Sequence, residues 1–171
     1  VNVTGCENTL AAAHKEGAYL VHISSSAIYG IPQQLPVVAT TPFLPFEPYG
    51  RSKTMAEEVV NRWRKKGLLA ASIRPRALLG EGRLGLFELL FARIRDSRLV
   101  PLIGDGSNLT QMCDVRDFSS AVLKAVELKA AGDYNIGAAT FATVRQDMQS
   151  LIDSVGSRSR VVPIPAKAVA L

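Results

Sequence analysis

The sequence predicts an α/β fold built on a parallel sheet, and three observations predict it. Leu68 to Ile73 is an almost unbroken apolar run, as expected of a parallel strand buried on both faces. Tyr19 to Ile23 reads as a second buried strand and runs into Ser24-Ser25-Ser26-Ala27. Hydroxyl donors then fall at a strand's end, where ligands collect in open α/β sheets. Helical rhythms precede and separate these strands.

In chain order, Val1 to Glu16 reads as a helix, because Val3, Cys6, Leu10 and Ala13 follow an i, i+3, i+7 rhythm and Gly17 stops it. His14 is expected on its solvated side and His22 within the following strand. Neither has neighbours that suggest metal or triad chemistry. Ala27-Ile28-Tyr29-Gly30 leads into a loop rich in Pro and Thr, which ends at Pro48, a residue that sets up the next helix. Met55, Ala56, Val59, Val60 and Trp63 form the apolar stripe of that helix, which ends near Lys66-Gly67. Trp63 is expected in the core or covering it.

Arg74-Pro75-Arg76-Ala77 follows the Leu68–Ile73 strand, and Arg74 is read as structural, tying a buried charge to backbone carbonyls. Leu86 to Arg95 has the pattern of an amphipathic helix. Val100 to Ile103 and Asn108 to Cys113 read as short strands paired around the Gly104-Asp105-Gly106 turn. Asp117 is expected to cap a helix from Phe118 to Lys129. Asp133 to Gly137 reads as a short strand, Thr143-x-x-Gln146 as a capping box, and Val161 to Pro165 as the close of the recognisable part.

Composition excludes several function classes. The chain has 171 residues, 47% hydrophobic and 20% charged, which suits one globular domain. No apolar run approaches the roughly 20 residues of a membrane helix, and no signal segment opens the sequence. Cys6 and Cys113 lack metal-ligand spacing and read as reduced, buried thiols, so the expected compartment is the cytoplasm. The net charge is +5. Its densest cluster, Arg62, Arg64, Lys65 and Lys66, falls at a helix end, where cations complement the dipole. Without aromatic interleaving, it reads as a solvated helix end and not as a nucleic-acid surface.

The chemistry centres on Pro48-Tyr49-Gly50-Arg51-Ser52-Lys53. A tyrosine and a lysine four apart near a helix start lie on one face, about one turn apart. A phenol is a poor proton carrier at neutral pH because its reference pKa is about 10, and an ammonium beside it favours the phenolate. Any amphipathic helix can carry such a pair, as a packed tyrosine and a solvated lysine.

With its context, the pair becomes specific. The segments VHISSSAIYG, EPYGRSK and SIRPRALLGEG together resemble the extended short-chain dehydrogenase/reductase superfamily, in its NAD-dependent epimerase/dehydratase branch. The resemblance runs from Val1 to about Pro165. It implies a Rossmann-like, doubly wound parallel sheet, of which this chain carries the C-terminal portion, together with part of a small substrate-binding lobe. Residues 1–80 would be the second half of the Rossmann fold with the Ser/Tyr/Lys site. Residues 81–171 would supply lobe elements plus a returning strand and helices. A nicotinamide dinucleotide, NAD or NADP, is implied as cofactor. Tyr49 would be the acid/base, Lys53 would tune it and hold the nicotinamide ribose, and Ser26 would hydrogen-bond the reacting oxygen. Ser24 and Pro75 would line the cofactor.

The pyrophosphate-binding glycine turn of Rossmann proteins is not in this sequence. Gly80 to Gly85, GEGRLG, follows the Arg74-Pro75 strand and reads as a loop over the site. The chain therefore reads as a fragment that lacks the first mononucleotide-binding half. The residue that would choose between NAD and NADP is expected upstream of Val1.

For the substrate side, the resemblance points to Ser26, Arg76 and Thr110, with Arg83 or Arg116 as a phosphate clamp, since guanidinium matches phosphate bidentately. Nucleotide-sugar enzymes commonly have an arginine where Thr110 stands. IGDGSNLT and KKGLLAASIRPRALLGEG resemble the hydroxysteroid dehydrogenase branch at least as well. The expectation is a hydride-transfer enzyme acting on a nucleotide sugar. The alternatives are a reductase of an apolar alcohol or ketone, and a dinucleotide-binding relative or inert piece without turnover. A small-molecule substrate is implied, with no nucleic acid or membrane partner. Relatives often dimerise through the opening helix and the Tyr49 helix.

Overall fold

The computed structural model describes residues 1–82, 85–165 and 167. Its elements run α1 (Asn2–Lys15), β1 (Leu20–Ile23), α2 (Pro48–Lys65), β2 (Ala70–Pro75), β3 (Ala77–Leu79), α3 (Glu88–Arg95), β4 (Val100–Ile103), β5 (Leu109–Thr110), β6 (Met112–Asp114), α4 (Val115–Glu127), β7 (Gly132–Ile136), β8 (Ala142–Thr143), α5 (Val144–Ser154) and β9 (Val161–Ile164). Two compact units divide the chain, Val1–Ala77 with Cys113–Gly137, and Leu78–Met112 with Ala138–Leu171.

The first unit holds a parallel sheet in the order β1-β2-β7, with Leu20 beside Ala70 and Ala71 beside Gly132. Strand β2 is central and all its residues are buried; it starts two residues later than the predicted Leu68–Ile73 run and takes in Arg74 and Pro75. Strand side chains alternate between faces, and the two faces of this sheet differ in chemistry. One face carries Val21, Ala71, Ile73 and Ile136 against Phe118, Val122 and Ala125 of α4. Alternation puts His22, Ser24, Ser72, Arg74, Asp133 and Asn135 on the other face, under α2.

Helix α1 packs beside α2, and both run in the same direction. Asn2 Nδ2 donates to Ser52 Oγ at one end, and the His14 and Trp63 rings meet at the other. Leu10, Val59, Val60, Leu68 and Ala70 form the shared core, with Val3, Cys6, Ala13 and Trp63 packed against it. The rhythm predicted for α1 holds, and Gly17, at φ 63°, ends the helix in a left-handed conformation. Met55 departs from the predicted stripe. The contact with α1 passes through Ser52, Ala56 and Trp63, and Met55 falls outside that line and is half exposed.

The basic end of α2 is not a simple solvated terminus. Arg62 pairs with Glu7 at 2.7 Å, and Lys66 lies over the Trp63 ring. Arg64 turns inward, donating to the carbonyls of Ala70 and Gly132 and to Asp133 Oδ1. Helix α4 begins at Val115, earlier than expected, and its cap is Asp114, not Asp117. Asp114 has extended backbone geometry, and its Oδ1 accepts from the Arg116 amide at 2.7 Å. Asp117 lies within the first turn, where a carboxylate favours the helix dipole.

In the second unit, the predicted hairpin around Gly104–Gly106 does not form. Strand β4 pairs in parallel with β9, Val100 beside Val161, and β5 pairs antiparallel with β8. Gly104 and Gly106 adopt φ values of 70° and 74°, and the following chain turns onto the start of α5. There the Arg145 amide donates to the Gly106 carbonyl, the Val144 amide to Asn108, and Arg145 Nε to the Asp105 carbonyl. Ile94, Val100, Leu102, Met148 and Ile152 form this unit's core. The capping box of Thr143 and Gln146 is present at the start of α5. Helix α3 starts at Glu88, two residues later than the pattern suggests, behind a 3-10 turn at Gly85–Phe87.

Candidate active site

Strand β1 delivers the serines. The Ser24 amide donates to the Ile73 carbonyl at 2.8 Å, which continues the β1–β2 pairing one residue beyond β1. Ser24 is buried, and Ser25 Oγ accepts from the Ala27 amide, which opens a 3-10 turn over Ser26–Tyr29. Ser26, half-buried, is the first residue of that turn. The turn ends at Gly30, where a Cβ would overlap the Leu44 carbonyl oxygen, so only glycine fits.

Helix α2 starts against this turn. Pro48 occupies its first position, where a missing N–H costs nothing. Gly50 is buried, and a Cβ there would lie 2.6 Å from the Ala27 carbonyl oxygen. The absent side chain at position 50 thus lets the first turn of α2 touch the residue that follows Ser26. Tyr49 and Lys53 ride on that turn. Lys53 Nζ donates to the Ile23 carbonyl at 2.9 Å and stands 6.0 Å from the Tyr49 ring centre. Tyr49 is half exposed. The structure therefore gathers the serine turn, Tyr49 and Lys53 at the carboxyl end of β1.

Beneath this group lies a buried ionic network that the sequence reading touched only at Arg74. The guanidinium is fully buried, and all five of its N–H groups are engaged. Nε and Nη2 grip the Glu57 carboxylate at 2.8 and 3.1 Å, and Nη2 reaches Asp133 at 2.7 Å. Nη1 donates to the Tyr29 hydroxyl at 3.0 Å and to the Ala39 carbonyl at 2.9 Å. Tyr29 donates in turn to Asn135 Oδ1, and Arg74 also lies over the Phe43 ring. Arg64 closes the network by sharing Asp133.

Burial works against ionising Glu57, but hydrogen bonds from Arg74 and its charge outweigh it and hold the carboxyl below the ordinary range. Burial similarly opposes the charge on Arg74, and Glu57 first and Asp133 next restore it. Arg74 is thus structural, as expected, but it is held by carboxylates as well as a carbonyl. Sequence reading missed Glu57 and Asp133. The available signal was an acidic residue four after Lys53, beside Ala56 and Val59, and another opening the predicted Asp133–Gly137 strand.

His22 shares this polar face, with its Nδ1 3.8 Å from Cys6 Sγ. Burial lowers its pKa, Glu57 partly offsets this, and Lys53, Arg64 and Arg74 add to the lowering. Burial raises both thiols, Cys6 and Cys113.

The remaining sequence-predicted residues are more scattered. Pro75 ends β2, and the Arg76 amide donates to the Ile136 carbonyl while its side chain is exposed. Arg116 turns back on its own helix cap, gripping Asp114 with Nε and Nη2 at 3.0 and 2.8 Å. Thr110 lies in β5 of the second unit, beside Ala142. Arg83 falls outside the described residues. Among the described residues no three His, Cys, Asp or Glu side chains gather as a metal site, and no helix is long and apolar enough to cross a membrane.

A parallel sheet with helices on both faces, and Ser, Tyr and Lys gathered at a strand's carboxyl end, defines a Rossmann-like fold of the short-chain dehydrogenase/reductase kind. Residues 1–137 match the NAD dependent epimerase/dehydratase family, and the chain belongs to it. It is 38% identical over 152 residues to Uncharacterized protein y4nG of Sinorhizobium fredii, covering 88% of this chain and 38% of that protein. It is 34% identical over 136 residues to the N-acetyl-alpha-D-glucosaminyl-diphospho-ditrans,octacis-undecaprenol 4-epimerase of Escherichia coli O157:H7, covering 77% and 40%. Among solved structures it resembles the dTDP-glucose 4,6-dehydratase DesIV of Streptomyces venezuelae with NAD bound. That match has 27% identity and a TM-score of 0.76, covering 95% of this chain and 53% of that one. The chain spans about two fifths of the length of the two sequence relatives.

Proposed function

We propose that this chain carries the proton-transfer half of an NAD(P)-dependent epimerase or dehydratase acting on a nucleotide sugar. The observation that carries the reading is the tie from Lys53 to the Ile23 carbonyl, which holds the amine between the serine-bearing strand and Tyr49. The chain's residues suit the nicotinamide end of a dinucleotide. Lys53 spends one N–H on Ile23 and keeps two for a ribose hydroxyl. Ser24 is buried just beyond β1, and its hydroxyl helps hold the Glu57 carboxylate in the charged form. Pro75 stands at the end of the neighbouring parallel strand. No residue described here suits the pyrophosphate. When bound, the nicotinamide accepts or returns the hydride.

Tyr49 would take the proton of the substrate hydroxyl as the carbon is oxidised, and return it on reduction. Lys53, one turn along α2, would set its positive charge beside the ring as the proton leaves. Ser26 would donate to the reacting oxygen and hold it beside Tyr49. The packing of Gly50 on Ala27 supports this by keeping the two oxygens' carriers in contact.

One observation favours a second reading, an apolar alcohol as substrate. The loop between the serine turn and Tyr49 exposes Ile31, Leu35, Val38 and Phe46. Both readings are tested by incubating the full-length protein with NAD or NADP and separate UDP-sugars, dTDP-glucose and a hydroxysteroid. NMR of the products and absorbance at the reduced-nicotinamide band report the outcome. Epimerised or dehydrated nucleotide sugar is the expected result. Turnover of the steroid alone favours the second reading, and no turnover with either class contradicts both.

A further inference from the structure

We propose that Arg74 is a positioning residue for the Ser26–Tyr49–Lys53 group, one guanidinium fixing the serine turn and the tyrosine helix relative to each other. This rests on the catalytic reading above. Ser26 opens the 3-10 turn and Tyr29 closes it, and the Tyr29 hydroxyl is held between Arg74 Nη1 at 3.0 Å and Asn135 Oδ1 at 2.7 Å. Tyr49, Lys53 and Glu57 follow at four-residue intervals along one face of α2. Arg74 grips Glu57 through two parallel N–H···O bonds, a geometry that fixes direction as well as distance. The same side chain holds the loop joining the two segments, through the Ala39 carbonyl and the Phe43 ring.

Arg74 itself is anchored in the centre of the sheet, on the strand whose residues are all buried, and by Asp133 on β7. Buried and with every N–H engaged, it transmits the geometry of the sheet to both catalytic segments. A purely structural ion pair would need only Glu57. The hydroxyl of Tyr29 contributes direction to the serine turn, and a lysine at position 74 would keep the charge but lose the fork.

The test uses the full-length protein with Tyr29→Phe, Arg74→Lys and Glu57→Gln, and Glu7→Gln as a control at the exposed Arg62–Glu7 pair. Amide hydrogen exchange is read by segment, and kcat and KM are measured on whichever substrate the wild type turns over. Faster exchange confined to residues 26–30 and 49–53, with α4 unchanged, is the expected result. So is a kcat loss of about 10- to 100-fold at constant KM, since small misplacements of reacting groups cost this much. Unchanged exchange in those segments of a folded Tyr29→Phe protein overturns the proposal, as does acceleration spread evenly over the unit. If Arg74→Lys fails to fold, Tyr29→Phe alone decides. A wild type without turnover contradicts the proposed function, and the exchange pattern then decides the positioning role by itself.

Discussion

Lys53 Nζ donates to the main-chain carbonyl of Ile23 at 2.9 Å, so the amine of the tyrosine helix is fastened to the last residue of the strand that delivers the serines. The two residues are 30 apart in sequence, and the bond closes the intervening loop at its two functional ends. It makes Lys53 a rigid charge beside Tyr49, where a free surface lysine would sample many rotamers.

Gly50→Ala should destabilise the protein although alanine is the better helix former. The helix gain is at most about 1 kcal/mol. The new Cβ would meet the Ala27 carbonyl oxygen at 2.6 Å, a backbone atom that no side-chain rotation can move aside. Overpacking of this kind costs about 1–3 kcal/mol. Chemical denaturation should show a net loss, and turnover should fall further than the folded fraction does.

Removing Glu57 strands the Arg74 charge in the interior. Glu57→Ala should cost about 3–5 kcal/mol in denaturation, as expected when one partner of a buried pair is deleted. The pH dependence follows from the depressed carboxyl. The folded state binds this proton less readily than the unfolded chain does. The stabilisation is therefore complete above the ordinary glutamate value of about 4.3 and is lost as pH falls through the lower folded value. Acid titration of stability should be flatter in Glu57→Gln.

His22 should remain neutral to lower pH than a free imidazole, because burial disfavours its charged form. The unfolded chain then takes up the proton first, so His22 subtracts stability as pH drops below about 6.5 toward its folded value. Imidazole NMR titration should give a midpoint below 6.5. A midpoint at or above that value would show the polar face to be hydrated.

The cap of α4 offers a local check. Hydrogen bonds from the Arg116 side chain and amide lower the Asp114 carboxyl to about 2. Its capping contribution is present above the ordinary aspartate range and disappears as pH falls toward 2. Asp114→Ala should speed exchange of the Arg116 amide, and Asp114→Asn should do so less, because the amide oxygen still accepts that bond.

The parts legible in the sequence were those set by local pattern. The β2 run, the α1 rhythm, the Thr143–Gln146 box and the Tyr49–Lys53 spacing depend on neighbours within a turn or on burial of a whole strand. What stayed hidden depends on which strands meet. The pairing of β4 with β9 joins segments about sixty residues apart, and nothing near Gly104 announces it. The grip of Arg74 on Glu57 and Asp133 needs β2, α2 and β7 to stack. The cap shifted from Asp117 to Asp114 because two acids three apart fit the start of one helix equally well on pattern alone. The candidate site followed the same division. Its proton-transfer pair was visible in a six-residue stretch, but the network that supports it was not.

The central claim is that Tyr49 moves the proton with Lys53 beside it, and single-turnover hydride transfer in full-length wild type and Tyr49→Phe tests it most directly. Loss of the phenol oxygen should slow the step by roughly 10²- to 10⁴-fold while the fold and dinucleotide affinity persist. Transfer at the wild-type rate in a folded, cofactor-loaded Tyr49→Phe protein would contradict the account.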